Sequence, residues 1–91
     1  MTIARRFIVR GKVQGVGFRY FAIREARQAG VAGTVRNLPD GTVEAIAEGS
    51  QTAVAEFRAA LERGPSYGKV TRVDEMEMQA TGRYAGFDVL F

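Results

Sequence analysis

The sequence predicts an α+β fold in which two helices pack on one face of a mainly antiparallel sheet. Three observations support this prediction. Apolar and polar residues alternate in several short segments, which is typical of half-buried strands. Two other segments carry apolar residues at helical spacing. Glycine-marked turns separate the segments, and their order is βαββαβ followed by one short strand.

The first half of the sequence predicts a strand and a helix joined by a glycine-rich loop. The strand runs from Ile3 to Val13, and one of its two sides is basic because of Arg6, Arg10 and Lys12. The helix runs from Phe18 to Ala29, where an apolar stripe is interrupted only by Glu25. Gly30 follows, and a glycine in the left-handed backbone conformation commonly ends a helix.

The second half predicts a hairpin, another helix and two further strands. The hairpin strands, Val31–Asn37 and Thr42–Glu48, are separated by a Pro-Asp-Gly turn. Ser50 is a candidate N-cap for a helix that ends at Gly64-Pro65 and carries apolar residues at helical spacing. The remaining strands are Val70–Met78 and a short one over residues 87–91. This order fits a split βαβ, ferredoxin-like arrangement.

Length and composition indicate one globular unit. The chain has 91 residues, of which 46% are hydrophobic and 25% are charged. Because domains usually contain about 100–150 residues, we expect residues 1–91 to form a single domain. No apolar run approaches the ~18 residues of a membrane-spanning helix, and no leader-like segment follows Met1. We therefore expect a cytoplasmic protein that does not bind membranes.

Cysteine and histidine are both absent from the sequence. Their absence excludes disulfides, thiolate nucleophiles, imidazole bases and metal sites built on nitrogen or sulfur ligands. We therefore expect no metal ion and no cofactor. No remaining side chain has an ordinary pKa near neutrality, so a protein general base at pH 7 would need an Asp or Glu with a strongly raised pKa.

Charge is distributed unevenly along the chain. Residues 1–36 contain eight basic residues and one acidic residue, a net charge of +7. Residues 37–91 contain five basic and nine acidic residues, a net charge of −4. An anionic ligand would therefore bind the first third of the chain. A solvated basic surface without a ligand is an equally good interpretation of the charge alone.

The glycine-rich segment from Gly11 to Arg19 lies between the first strand and the first helix. Glycines let the backbone approach a bound group closely, and a helix N-terminus favours negative charge, so this junction suits an oxyanion such as phosphate. The planar guanidinium of Arg19 can bind two phosphate oxygens at once. The segment matches neither a Walker A loop nor GxGxxG. A plain turn followed by a surface arginine remains an alternative.

A second unusual segment runs from Gly33 to Gly41 and contains Asn37 at the end of a strand. Turn geometry explains Asp40 and Gly41, and an asparagine there often caps the backbone. In a split βαβ fold, however, this hairpin lies beside the first strand-helix junction. The Asn37 amide would then face a ligand held by Arg19, and it could hold a water as donor and acceptor together.

The two segments resemble the two signatures of the acylphosphatase family, Gly-x-Val-Gln-Gly-Val-x-Phe-Arg and Gly-x-Val-x-Asn-x-x-Asp-Gly-x-Val. Both occur here in the family's order, at residues 11–19 and 33–43, and the resemblance spans the whole chain. It implies an enzyme that hydrolyses carboxyl-phosphate mixed anhydrides to a carboxylate and orthophosphate.

The resemblance also implies roles for individual residues. Arg19 would bind the phosphoryl group, and Asn37 would orient the attacking water. Backbone N–H groups of the loop would complete the phosphate site: Gln14, Gly15, Val16, Gly17 and Phe18. We expect a monomer whose partners are a small acyl phosphate and inorganic phosphate.

The alternative is a non-catalytic ferredoxin-like module that binds anions or RNA. RNA-recognition motifs stack bases on aromatic residues of a central strand. The predicted third strand, Thr42–Glu48, has no aromatic residue and contains two acids, which argues against nucleic-acid binding. A regulatory domain that has kept only the fold is a further possibility, and the presence of both Arg19 and Asn37 argues against it.

Overall fold

The computed structural model describes all 91 residues. It contains, in chain order, β1 (Thr2–Lys12), α1 (Phe18–Ala29), β2 (Ala32–Asn37), β3 (Val43–Ser50), α2 (Gln51–Arg63), β4 (Lys69–Met78) and β5 (Phe87–Val89). The predicted elements are confirmed, with boundaries that differ by at most two residues. The final strand ends at Val89, and one more backbone hydrogen bond to β2 follows it, from the Leu90 N–H to the Val35 carbonyl (2.8 Å).

The five strands form one mixed sheet in the order β4-β1-β3-β2-β5, in which only the β2-β5 pair is parallel. β1 and β2 both run antiparallel to β3, so they point in the same direction. Val9 and Asn37 pair with the same residue, Val43. The loop after β1 and the turn after β2 therefore lie at the same end of the sheet.

The core lies between the sheet and the two helices. Phe57 of α2 is fully buried at its centre, with its ring centroid 6.1 Å from that of Phe7 and 5.3 Å from that of Phe87. Burying one such side chain contributes about 1.5–3 kcal/mol. The helices thus cover one face of the sheet and confirm the predicted ferredoxin-like arrangement. Neither helix has the length and apolar character needed to cross a membrane.

Two of the helix-end signals predicted from the sequence illustrate how the helices are bounded, and both are confirmed. Gly30 adopts a left-handed conformation (φ 84°), and its N–H donates to the Ala26 carbonyl at 2.9 Å. The Ser50 hydroxyl accepts a hydrogen bond from the Ala53 N–H at 3.0 Å and caps α2. These contacts fix the residue at which α1 ends and the residue at which α2 begins.

The sheet face away from the helices carries paired charges. The carboxylate of buried Glu44 accepts hydrogen bonds from Arg6 (2.7 Å) and Arg36 (2.9 Å), and Asp74 accepts one from Arg10 (2.9 Å). Burial raises the pKa of Glu44, but the two guanidinium groups outweigh it and hold that pKa below its usual range. The basic side predicted for the first strand is therefore balanced by carboxylates of β3 and β4.

We expect Glu44→Gln to lower the free energy of unfolding at pH 7 by about 2 kcal/mol, because it weakens two charge-assisted hydrogen bonds at a buried position. The pKa of Glu44 is lowered in the folded state, so its contribution is complete above its ordinary value of 4.5 and is lost as the pH falls through the folded pKa. Denaturant unfolding at pH 7 and pH 3 measures the difference between wild type and variant. An equal difference at both pH values would contradict this interpretation.

Candidate active site

The glycine-rich loop between β1 and α1 presents backbone donors that no protein group uses. Gly15 (φ 74°) and Gly17 (φ 75°) adopt left-handed conformations, which glycine enters without strain. Gly17 is the N-cap of α1, and no side chain caps the helix. The N–H groups of residues 14–20 donate to no acceptor in the chain, and the first bonded N–H is that of Phe21, to the Gly17 carbonyl (3.1 Å). Free N–H groups at a helix N-terminus form a site for an anion.

This loop is held on two sides by other parts of the chain. The side-chain amide of Gln14 donates to the carbonyls of Leu38 (2.7 Å) and Thr42 (2.8 Å), which ties the loop to the β2-β3 turn. On the other side, Gly68 of the α2-β4 turn lies so close that a Cβ there would be 3.0 Å from the Lys12 carbonyl oxygen. The loop is therefore braced in one conformation before any ligand binds.

The β2-β3 turn is built as the sequence predicts. Asp40 Oδ1 accepts hydrogen bonds from the Thr42 N–H (3.0 Å) and hydroxyl (2.6 Å), and the Gly41 N–H donates to the Leu38 carbonyl (3.2 Å). The hydrogen bonds from Thr42 lower the pKa of the Asp40 carboxyl. Asp40 thus serves the turn, and its ionised carboxylate is a weak base.

Asn37 ends β2 at this same end of the sheet and is only half-buried as a residue. Its Oδ1 atom is nevertheless buried, and it is the one buried side-chain polar atom of the chain without a hydrogen-bond partner. An unpaired buried acceptor costs about 1–3 kcal/mol. Such groups are rare in folded proteins, and functional sites are where they are expected.

Arg19 lies in the first turn of α1 and is half-buried. Eight other arginines of the chain form ion pairs with carboxylates, whereas Arg19 forms none. Its guanidinium carbon lies 5.3 Å from the centroid of the Phe91 ring, a cation-π contact that leaves the N–H donors unused. Arg19 therefore keeps its full capacity to bind an anion.

The topology brings the predicted residues to one place. Gln14 joins the loop to the turn that follows Asn37, and Arg19 begins the helix into which the loop leads. β5 runs parallel to β2 with Val35 opposite Val89, so the segment after β5 passes along the end of β2 and carries Phe91 to Arg19. The loop, Arg19 and Asn37 thus share one end of the sheet.

Two features of this end of the sheet were missed by sequence reasoning. The bracing role of the Gln14 side chain depends on a contact with a turn 24 residues later. Tyr67 of the α2-β4 turn borders the loop at Gly17. No local pattern reports either contact, although an amide side chain inside a glycine-rich loop is an unusual residue choice.

The rest of the molecule offers two surface depressions, and neither overlaps this end of the sheet. The larger, of about 180 Å³, lies between β1, α2 and β4 around Arg5, Arg58 and Glu75. The smaller, of about 150 Å³, lies between the helices beside Glu25 and Arg63. Within each depression, these charged side chains form ion pairs: Arg5 and Arg58 with Glu75 in the larger one, and Arg63 with Glu25 in the smaller one. The loop site is instead an open surface site.

Comparison with known proteins identifies the family. A sequence model of the family described as "Acylphosphatase" matches residues 5–89. An acylphosphatase from Actinobacillus succinogenes is 45% identical over 87 residues, which cover 96% of this chain and 97% of that protein. One from a Synechococcus strain is 51% identical over 77 residues, 85% of this chain and 77% of that protein.

Two solved structures agree with these matches. The crystal structure of acylphosphatase from Bacillus subtilis has a TM-score of 0.93 with this chain at 39% identity, covering 98% of this chain and 99% of that one. The acylphosphatase from Coxiella burnetii has a TM-score of 0.90 at 31% identity, covering 98% and 93% of the two chains. Sequence and fold together show that this chain belongs to the acylphosphatase family.

Proposed function

We propose that this chain hydrolyses acyl phosphates to a carboxylate and orthophosphate at the end of the sheet formed by the glycine-rich loop, Arg19 and Asn37. One observation carries the proposal. Unused backbone donors and an arginine without an ion pair share one end of the sheet with an amide oxygen that has no partner. The first two suit a phosphoryl group, and the third suits a water molecule.

The phosphoryl group is bound by backbone N–H groups of the loop, by the positive N-terminal end of α1 and by the charged side chain of Arg19. The N–H groups of Gln14, Gly15, Val16, Gly17 and Phe18 are free to donate to its oxygens, and the dipole of α1 adds to their effect. The guanidinium of Arg19 supplies two parallel donors in a planar fork. Because the loop is braced by Gln14, these donors are in place before the reaction and stabilise charge in the transition state.

Asn37 positions the water that attacks phosphorus. Its amide holds the water as donor and acceptor together; Oδ1, which is covered in the free protein, becomes the acceptor when the side chain turns toward the bound phosphoryl group, and Nδ2 remains a donor to a second oxygen. An amide does not take a proton, so Asn37 orients the nucleophile and does not act as a base. Holding the reacting atoms in line is a large part of catalysis in phosphoryl transfer.

The reaction needs no side chain that acts as a general acid or a general base. Water oxygen forms a bond to phosphorus while the bond between phosphorus and the bridging oxygen breaks, and the carboxylate leaves with that electron pair. A carboxylate with an ordinary pKa of about 4 leaves without being protonated. The proton of the water passes to a phosphoryl oxygen of the substrate. Phosphate monoesters have much poorer leaving groups and do not suit this site.

The direct test is release of inorganic phosphate from a simple acyl phosphate, with a phosphate monoester as the control substrate. We expect rapid hydrolysis of the acyl phosphate and none of the monoester. Hydrolysis of the monoester alone would contradict the proposal. Tight, salt-sensitive binding of single-stranded RNA without hydrolysis would favour the binding-module alternative.

We expect kcat for an acyl phosphate to be nearly constant from about pH 5.5 to pH 8, because this window lies outside the ordinary side-chain pKa values of the chain. Asp40, the carboxylate of the β2-β3 turn, has a lowered pKa and stays ionised throughout the window. Activity should also be unchanged by EDTA. A steep titration of kcat in this window, or phosphate retained on the denatured protein, would show that a protein group takes part.

We also propose that the protein acts as a monomer that does not bind nucleic acid. The open edges of the sheet are β4, which is rich in charged residues, and β5, which has only three residues; both features disfavour pairing with a second copy. The central strand β3 presents carboxylates on the face away from the helices and has no aromatic residue. Sedimentation at micromolar concentration measures whether the protein is a monomer.

A further inference from the structure

Two exposed aromatic rings border the groups that hold the phosphoryl group in the proposed function. Tyr67 lies in the α2-β4 turn and is 57% exposed, and its ring atom Cε2 and hydroxyl oxygen lie 3.7 Å and 3.9 Å from where a Cβ on Gly17 would be. Phe91 follows β5 and is 97% exposed, with its ring centroid 5.3 Å from the guanidinium carbon of Arg19. One ring adjoins the loop and the other adjoins the arginine.

Packing of the protein does not account for the position of these rings. The phenylalanines of the core contact one another and are fully buried, whereas Tyr67 and Phe91 are not part of the core. Of the other large hydrophobic side chains, Met1, Tyr20, Met78 and Leu90 are also exposed, and the rest are buried or half-buried. Exposed apolar surface next to a polar site often marks a ligand-binding surface. The two rings come from separate segments, and each adjoins a different group of the proposed phosphate site.

The chemistry of the substrate shows what would occupy this surface. A phosphoryl group held by the loop and Arg19 leaves its acyl group outside the loop, joined through the bridging oxygen. Apart from the two adjacent residues, no part of the protein lies within 4 Å of a Cβ position on Gly15, so the loop is open there, while Tyr67 lies beside Gly17. An acyl group that extends outward beside Gly17 and Arg19 would therefore be within reach of these rings. Aromatic contacts favour apolar and aromatic groups.

We propose that Tyr67 and Phe91 form an aromatic rim that binds the acyl group and gives the enzyme a preference for acyl phosphates with aromatic or large apolar acyl groups. This inference rests on the proposed function. In it, the loop and Arg19 recognise the phosphoryl group that all acyl phosphates share, and the aromatic rim distinguishes between them. Neither ring takes part in breaking the anhydride bond.

The test compares kcat/KM for benzoyl phosphate and acetyl phosphate in wild type, Tyr67→Ala and Phe91→Ala. We expect wild type to prefer benzoyl phosphate, and each variant to lower the benzoyl-to-acetyl ratio by about three- to tenfold, the range of one aromatic contact. Tyr67→Phe should keep the wild-type ratio, because the ring rather than the hydroxyl makes the contact. Tyr84→Ala is the matched control, since Tyr84 lies in the segment that Glu48 binds at the far end of β3.

The outcomes separate this inference from the proposed function. An unchanged ratio in either variant would overturn the role of that ring. Equal losses for both substrates would also overturn it, because the ring would then act on the loop or on Arg19 and not on the acyl group. If wild type hydrolyses neither substrate, the proposed function itself fails.

Discussion

Replacing Arg19 with lysine should lower kcat/KM for an acyl phosphate by about 100-fold or more and should weaken competitive inhibition by inorganic phosphate about tenfold. Lysine keeps the charge but replaces two parallel donors with a point charge that cannot bind two oxygens in the same plane. Because Arg19 pairs with no carboxylate, its replacement breaks no ion pair within the protein. The free energy of unfolding should therefore change by less than about 0.5 kcal/mol.

Arg27→Lys is the matched control for this experiment. Arg27 lies on the same helix and also forms no ion pair, and its one hydrogen bond, to the Phe87 carbonyl, is long at 3.4 Å. The control should retain full activity and wild-type inhibition by phosphate. A fully active Arg19→Lys variant would refute the argument that a planar fork is needed at this position.

Replacing Asn37 with alanine should lower kcat about 100-fold while leaving inhibition by inorganic phosphate within twofold of wild type. The proposed partner of Asn37 is the attacking water, so binding of the phosphoryl group survives while the reacting atoms lose their alignment. Steady-state kinetics with phosphate as inhibitor measures both quantities. A comparable weakening of phosphate binding would assign Asn37 to substrate binding instead.

The stability of the same variant provides an independent readout. Asn37 Oδ1 is buried without a partner, so the wild-type protein pays a desolvation cost that alanine removes. We expect Asn37→Ala to leave the free energy of unfolding unchanged or to raise it. A loss of stability together with the loss of activity would indicate a structural hydrogen bond at Asn37 and would contradict its role in holding water.

Much of the fold follows from local sequence patterns. Alternation of apolar residues predicts β1, the glycine after Ala29 predicts the end of α1, and Ser50 predicts the start of α2. These signals act within a few residues of chain, where periodicity and capping chemistry are decisive. The glycine positions likewise predict the loop, because only glycine adopts its two left-handed conformations without strain.

Contacts between distant segments could not be predicted in the same way. β3 continues to Ser50 because Thr2 of β1 pairs with Ser50, and register depends on the whole sheet. The sequence predicts a basic side on the first strand, but Glu44 of β3 forms ion pairs with an arginine of that strand and an arginine of β2 and neutralises part of that charge. The position of Phe91 against Arg19 depends on the parallel pairing of β5 with β2, which no local signal reports.

Free N–H groups of the glycine-rich loop and the guanidinium of Arg19 should bind inorganic phosphate as they bind the phosphoryl group. Titration of the isotope-labelled protein with inorganic phosphate, followed by amide NMR, measures this binding without turnover. The amide signals of Gly15, Val16, Gly17 and Phe18 should shift in a saturable way in wild type, and their saturation should need more phosphate in Arg19→Lys. Saturable shifts confined to the paired charges on the outer face of the sheet, with these loop signals unmoved, would contradict this assignment of the phosphate site.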